Sequence, residues 1–129
     1  MEMQNFIKAK PVVGQEVYVA KYNQRLRQYS DGEYRKVSKV GRKYFEVEGV
    51  TQGKTPMQFF MDSKKANSEY SGSPALYPSK EYFEQERLFN KTKAAVVELM
   101  REYNALNKLD YSELKAIADI LSKKYDINI

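Results

Sequence analysis

Eight cations crowd into residues 21–43: Lys21, Arg25, Arg27, Arg35, Lys36, Lys39, Arg42 and Lys43, against only Asp31 and Glu33. Tyr22, Tyr29 and Tyr34 are interleaved with them. Ammonium and guanidinium groups displace counterions from phosphates, and tyrosine rings stack on bases, so the stretch has the chemistry of nucleic-acid contact. Arg25, Arg27, Arg35, Lys36, Lys39, Arg42 and Lys43 are the candidate phosphate contacts, with Tyr22 and Tyr34 as candidate stacking platforms. On an unbroken strand Arg35 and Lys39 share a face about 13 Å apart, enough to span two phosphates of one chain. The same residues also read as a solvated strand face with its hairpin loop, because cations on strands discourage edge-to-edge pairing.

The charge is unevenly placed. Residues 1–78 hold 13 Lys and Arg against 8 Asp and Glu, whereas residues 79–129 hold 9 of each, so the whole net charge of +5 belongs to the first part. The chain has no Cys, His or Trp. That removes disulfides, thiolate metal sites, thiol chemistry, and the commonest general base and metal ligand.

Two short motifs resemble catalytic ones. Gly53-Lys54-Thr55 echoes the end of a phosphate-binding loop, but that loop needs a further glycine five residues earlier and a helix afterwards. Position 48 is Glu, and Pro56 with an apolar strand follows, so the segment reads as a strand connection. Asp62-Ser63-Lys64 has the acid-x-lysine form of a magnesium-dependent nuclease, for which Glu46 or Glu48 could supply a second carboxylate. The strand order does not offer the flanked mixed sheet such a site uses. The alternative is a solvated acid and base at a strand end.

Positioning these residues requires strands first and helices second. Pro11 argues for an irregular arm over 1–11. Val13–Ala20 alternates as a strand, with Val17 and Val19 on one face and Tyr18 and Ala20 on the other. Ser30-Asp31-Gly32 is a turn signal. Residues 34–40 and 43–48 flank Gly41-Arg42, which predicts a hairpin with a primed turn and positive φ at Gly41. Met57–Met61 is a further strand, and 63–78 a long surface loop. The Phe and Met residues mostly fall on faces expected to be buried.

From residue 79 the period changes. Ser79 can cap a helix over about 80–106, whose stripe runs through Tyr82, Phe89, Val96, Met100 and Tyr103. Asp110 and Glu113 stand in capping-box spacing at the start of a second helix over about 110–125. The expected fold is α+β: a small antiparallel β-barrel or strongly bent sheet over residues 12–62, then a C-terminal helical hairpin, in one domain of 129 residues.

Gly14-Gln15-Glu16-Val17-Tyr18-Val19 and the hairpin Lys39-Val40-Gly41-Arg42-Lys43-Tyr44-Phe45-Glu46-Val47 resemble a small SH3-like barrel. With the helix starts Tyr77-Pro78-Ser79-Lys80-Glu81-Tyr82 and Leu109-Asp110-Tyr111-Ser112-Glu113-Leu114, the layout is similar to short β-barrel proteins of bacteriophages and their hosts. The resemblance implies a phage or bacterial setting, and a protein that binds a host component such as a defence enzyme. The expectation is a non-enzymatic module without cofactor. Its partner is nucleic acid or a nucleic-acid-bound host protein complex. The alternative is a protein-binding inhibitor or adaptor that uses the helical hairpin and the 62–78 loop. No apolar run of 18 residues and no basic-then-apolar leader is visible, so a cytoplasmic location without membrane contact is expected.

Overall fold

The computed structural model describes residues 2–68, 72–102 and 104–126. The chain divides into two compact units, Met1–Arg87 and Leu88–Ile129. The first holds a short helix α1 (Glu2–Lys8) and five strands, β1 (Glu16–Asn23), β2 (Gln28–Val40), β3 (Tyr44–Gln52), β4 (Thr55–Phe60) and β5 (Ala75–Tyr77). Helix α2 (Lys80–Arg101) begins there, and the second unit adds a 3-10 turn (Leu106–Lys108) and α3 (Tyr111–Tyr125). The α+β class is as expected.

All the strands pair antiparallel, in the order β4-β3-β2-β1-β5. Strands β4 and β5 are therefore edges, and among the described residues no ladder joins them. The sheet is a curled half-barrel, the strongly bent sheet expected as the alternative to a closed barrel. Its bending comes from irregularities in pairing. Between Val19↔Glu33 and Lys21↔Ser30, Asp31 and Gly32 together oppose Ala20. Such a bulge frees one N–H from the ladder; here Gly32 donates it to the Tyr18 hydroxyl at 2.8 Å. A Cβ on Gly32 would lie 1.5 Å from the Val19 carbonyl oxygen, so only glycine fits. The Ser30-Asp31-Gly32 signal thus marks a bulge inside β2, and the reversal lies upstream at residues 24–27, where the Leu26 N–H donates to Asn23 Oδ1.

A second bulge follows at Ser38, between Val37↔Val47 and Lys39↔Glu46. The hairpin beyond it turns through Arg42-Lys43, closed by the Gly41 N–H donating to the Tyr44 carbonyl at 2.8 Å. Positive φ occurs at Gly14, Gly49 and Gly53 among the glycines, not at Gly41. The expected primed turn is corrected: the loop lies one residue later, and neither Arg42 nor Lys43 needs a left-handed backbone.

Strand β1 is buried on both faces, with Val17, Tyr18, Val19 and Ala20 all inaccessible. Val17 and Val19 join Phe6, Val37, Phe45, Val47, Val50, Met57, Phe59 and Leu76 in the concave-face core. Tyr18 and Ala20 join Tyr77 and Phe83 on the opposite side. Phe83 lies in the first turns of α2, which Ser79 caps by accepting from the Tyr82 N–H at 3.1 Å.

The expected arm over 1–11 is in fact helical over Glu2–Lys8 and buries Phe6. Pro11 stands three residues past its end, where it stops a helix without disturbing it. Lys64, expected in solvent, is only 4% exposed. Its ammonium donates to the carbonyl of Ile7 at 2.6 Å and to that of Met61. The first of these lies in the last turn of α1, where a cation complements the helix dipole. Burial pushes the Lys64 pKa down, with Asp62 acting in the opposite sense. Within the expected 63–78 loop, Ala66 bridges to Phe59 on the β4 edge, and β5 occupies Ala75–Tyr77. Residues 69–71 lie outside the described residues.

In the second unit α3 carries the expected capping box. Asp110 accepts from the Glu113 N–H at 2.9 Å, and Glu113 accepts from the Asp110 N–H at 3.0 Å. Helix α2 ends at Arg101, short of the expected 106, and Tyr103 lies outside the described residues. Phe89, Val96 and Met100, read as a buried stripe, are exposed. No helix among the described residues is long and apolar enough to cross a membrane.

Candidate nucleic-acid interface

Opposed residues on antiparallel strands point to the same face, so the registers sort the cations. Val17 faces Arg35 and Val19 faces Glu33, which puts Arg35 on the concave side. There its guanidinium meets Glu33 at 2.5 Å and lies over Gly49, where a Cβ would stand 2.3 Å from Nη1. Tyr34 faces Tyr18 and Lys36 faces Glu16, on the outer side. After the Ser38 bulge, Lys39 faces Glu46, again on the outer side. Arg35 and Lys39, expected on one face, therefore point to opposite faces because the bulge inserts one residue between them.

The outer face continues across β3 and β4. Tyr44 stands opposite Phe60 and Glu46 opposite Gln58, back to back with the buried pair Phe45 and Phe59. The Tyr44 and Phe60 ring centroids are 5.2 Å apart at a 47° tilt. Both rings are half-buried, while Gln58 is exposed. Lys43 Nζ lies 5.4 Å from the Tyr44 centroid, within cation–π range. A notch of about 210 Å³ sits at this end of the sheet, lined by Lys39, Gly41, Arg42, Tyr44, Glu46 and Gln58 among others. Lys36, Lys39, Arg42 and Lys43 have no ion-pair partner among the described residues.

The other candidates lie elsewhere. Arg25 and Arg27 are in the β1–β2 turn, at the opposite end of the 13-residue strand β2; fully extended it would span about 43 Å. Arg27 has a left-handed backbone, with φ 53°. Tyr22 packs edge-on against Tyr29 at 5.1 Å, and the Tyr29 hydroxyl donates to the Ser73 carbonyl. Tyr34 is a tether. Its hydroxyl oxygen accepts from the Lys80 N–H at 2.9 Å and its proton goes to Glu81 at 3.4 Å, while its ring packs on Tyr18 at 5.4 Å.

Sequence reasoning thus missed Tyr44, Phe60 and Gln58, and had Glu46 only as a candidate metal carboxylate. A signal was present: in Tyr44-Phe45 and Phe59-Phe60, adjacent aromatics on a strand must face opposite sides, so one ring of each pair leaves the core. Asp62 accepts from the Ser63 N–H at 2.6 Å, and the Lys64 ammonium is engaged with backbone carbonyls. Among the described residues no three acidic groups come together as a metal site would need. A separate recess of about 430 Å³ is lined by Met3, Ile7, Tyr29, Lys64, Tyr77 and Glu86, among others. Burial raises the Glu86 carboxyl pKa there.

Residues 1–124 match the family model described as the phage ProQ C-terminal-like domain. The chain belongs to that family. No curated protein and no solved structure matches it.

Proposed function

We propose that this chain is a non-enzymatic nucleic-acid-binding domain of a phage or its host, and that it binds through the outer face of the β2–β3 hairpin. The observation that carries the reading is the convergence of Lys36, Lys39, Arg42 and Lys43, none of them ion-paired among the described residues, beside the aromatic pair Tyr44 and Phe60. Four cations outside any ion pair suit a phosphate backbone, and the rings suit bases. Membership of a ProQ-like family fits a nucleic acid, RNA included, as the ligand. The same reading treats the curled sheet as kin to SH3-like barrels, supported by its antiparallel meander and the bulges that bend β2.

The test is fluorescence anisotropy with labelled RNA and DNA across a salt series. Four phosphate contacts to a single strand give a log–log salt slope of about −3, so raising salt fourfold weakens binding about 50-fold. Lys39→Glu with Lys43→Glu lowers the net charge from +5 to +1 and should abolish binding. Arg25→Glu with Arg27→Glu makes the same change of charge at the far end of β2 and should cost much less. Equal loss in both pairs would reduce the effect to net charge, and no binding at low salt would end the reading.

A second reading, a protein-binding adaptor or inhibitor, is favoured by the exposed Leu88, Phe89, Leu99 and Ile120 in the second unit. A partner captured from bacterial lysate after nuclease treatment, and lost in Phe89→Ser, would support it.

A further inference from the structure

We propose that the notch beside Tyr44 takes one unpaired nucleotide of a single strand, with guanine preferred. The inference rests on the nucleic-acid reading and adds what kind of nucleic acid is bound. In a duplex the base faces are stacked on one another, and a protein ring has no free face to meet. Tyr44 and Phe60 stand half-exposed on the outer face with Lys43 over the Tyr44 ring. Aromatic surface placed among cations is the arrangement that holds unstacked bases.

The base edge is addressed by Lys39 and Glu46. They are direct cross-strand neighbours, yet they form no ion pair. They therefore offer a donor beside an acceptor with both groups unspent. The pairing edge of guanine presents the complement: the O6 acceptor, then the N1–H and N2–H donors. Lys39 would donate to O6 while the two carboxylate oxygens of Glu46 accept from N1–H and N2–H. Uracil matches the first two positions but sets its O2 acceptor against the second carboxylate oxygen. Adenine and cytosine each offer a single donor group on this edge. Gln58, opposite Glu46 on β4, carries an amide that can donate or accept, so it does not alter the preference. Arg42 and Lys43, on the hairpin loop, and Lys36 remain for phosphates, so a strand held through its guanine has a salt slope of about −2, against about −3 for a strand whose phosphates also engage Lys39.

The test uses the full chain and three labelled RNA probes of equal length at low salt: an all-adenine strand, the same strand with one central guanine, and a blunt duplex. Wild type should bind the guanine strand about tenfold more tightly than the all-adenine strand, the discrimination expected of one bidentate contact, and the duplex less tightly than either. Glu46→Gln should erase the guanine preference, bringing the guanine and all-adenine strands to equal affinity. Tyr44→Leu and, separately, Phe60→Leu should weaken both single strands while circular dichroism stays at wild type. Equal affinity for duplex and single strand, or a guanine preference that survives Glu46→Gln, would overturn the inference while leaving the nucleic-acid reading in place. Absence of binding to all three probes would overturn both.

Discussion

Tyr77 makes the folded state sensitive to alkali in a way that one methodical comparison can isolate. The residue is only 8% exposed, and its ring packs against Phe83 at 5.1 Å and Tyr82 at 6.2 Å. Burial is the main cause that pushes its phenol from 10.0 up to about 12, followed by the charge of Glu86 and the neighbouring Tyr29 and Tyr82. A pKa raised on folding means that the contribution is fully present below pH 10 and is lost as pH rises through 12. Two units at about 1.4 kcal/mol each set an upper bound near 2.7 kcal/mol, and solvent reaching the Glu86 side reduces this to about 2 kcal/mol. Lys64 works in the opposite sense. Its lowered pKa means that the unfolded chain keeps its proton longer, so that contribution grows as pH approaches 10.5. Comparing wild type with Tyr77→Phe cancels Lys64 and isolates Tyr77 together with its coupling to Tyr29 and Tyr82. Urea unfolding at pH 8, 10, 11 and 12 should show the variant gaining about 2 kcal/mol on wild type across the series. A difference between the two proteins that stays constant with pH would refute the assignment of the shift to Tyr77.

Gly49→Ala meets both a left-handed backbone, with φ 74°, and the Arg35 guanidinium 2.3 Å from the new Cβ; a loss of about 1–2 kcal/mol in thermal or urea unfolding is expected. Lys64→Met leaves the Ile7 and Met61 carbonyls without their donor, and should cost about 1–3 kcal/mol and speed amide exchange in α1. The Asp110 carboxyl is held below its usual range, chiefly by the Glu113 backbone N–H and then by the Ser112 hydroxyl. Its support for α3 is therefore present at neutral pH and fades as pH falls through that lowered value. Asp110→Ala should reduce helical ellipticity at pH 7 and make little difference near pH 2.

The elements that the sequence made legible were those in which a local rule acts alone. The Asp110–Glu113 capping box, the Ser79 cap and the alternation of β3 and β4 each need only neighbours along the chain, and each is found where expected. What stayed hidden depends on contacts distant in sequence. Phe6 makes α1 a packed helix because it reaches the concave core, and no local pattern around Pro11 records that. Lys64 looks solvated beside Asp62 until the end of α1 arrives to take its ammonium. The candidate cations were legible as a group but not as a surface. Alternation is a reliable guide only while a strand is unbroken, and β2 breaks it at residues 31–32 and again at Ser38. Arg35 was thus assigned to the wrong face, while Tyr44 and Phe60 were assigned to no site at all.

The strand order contains one neighbour that is not sequential, and it has a consequence for how the chain assembles. Strands β1 to β4 form a meander of successive hairpins, each needing only a short loop to close. Strand β5 instead joins the far edge of β1, where Val19 pairs with Leu76 across 57 positions. A growing chain can complete the meander once Phe60 is free of the ribosome, before residue 75 has emerged. Until then β1 shows a bare edge of N–H and C=O groups, and Tyr18 and Ala20 have neither Tyr77 nor Phe83 against them. The docking of a three-residue strand and the first turns of α2 is thus the step that removes an aggregation-prone edge. A released chain truncated just before residue 75 would be the form most in need of a chaperone.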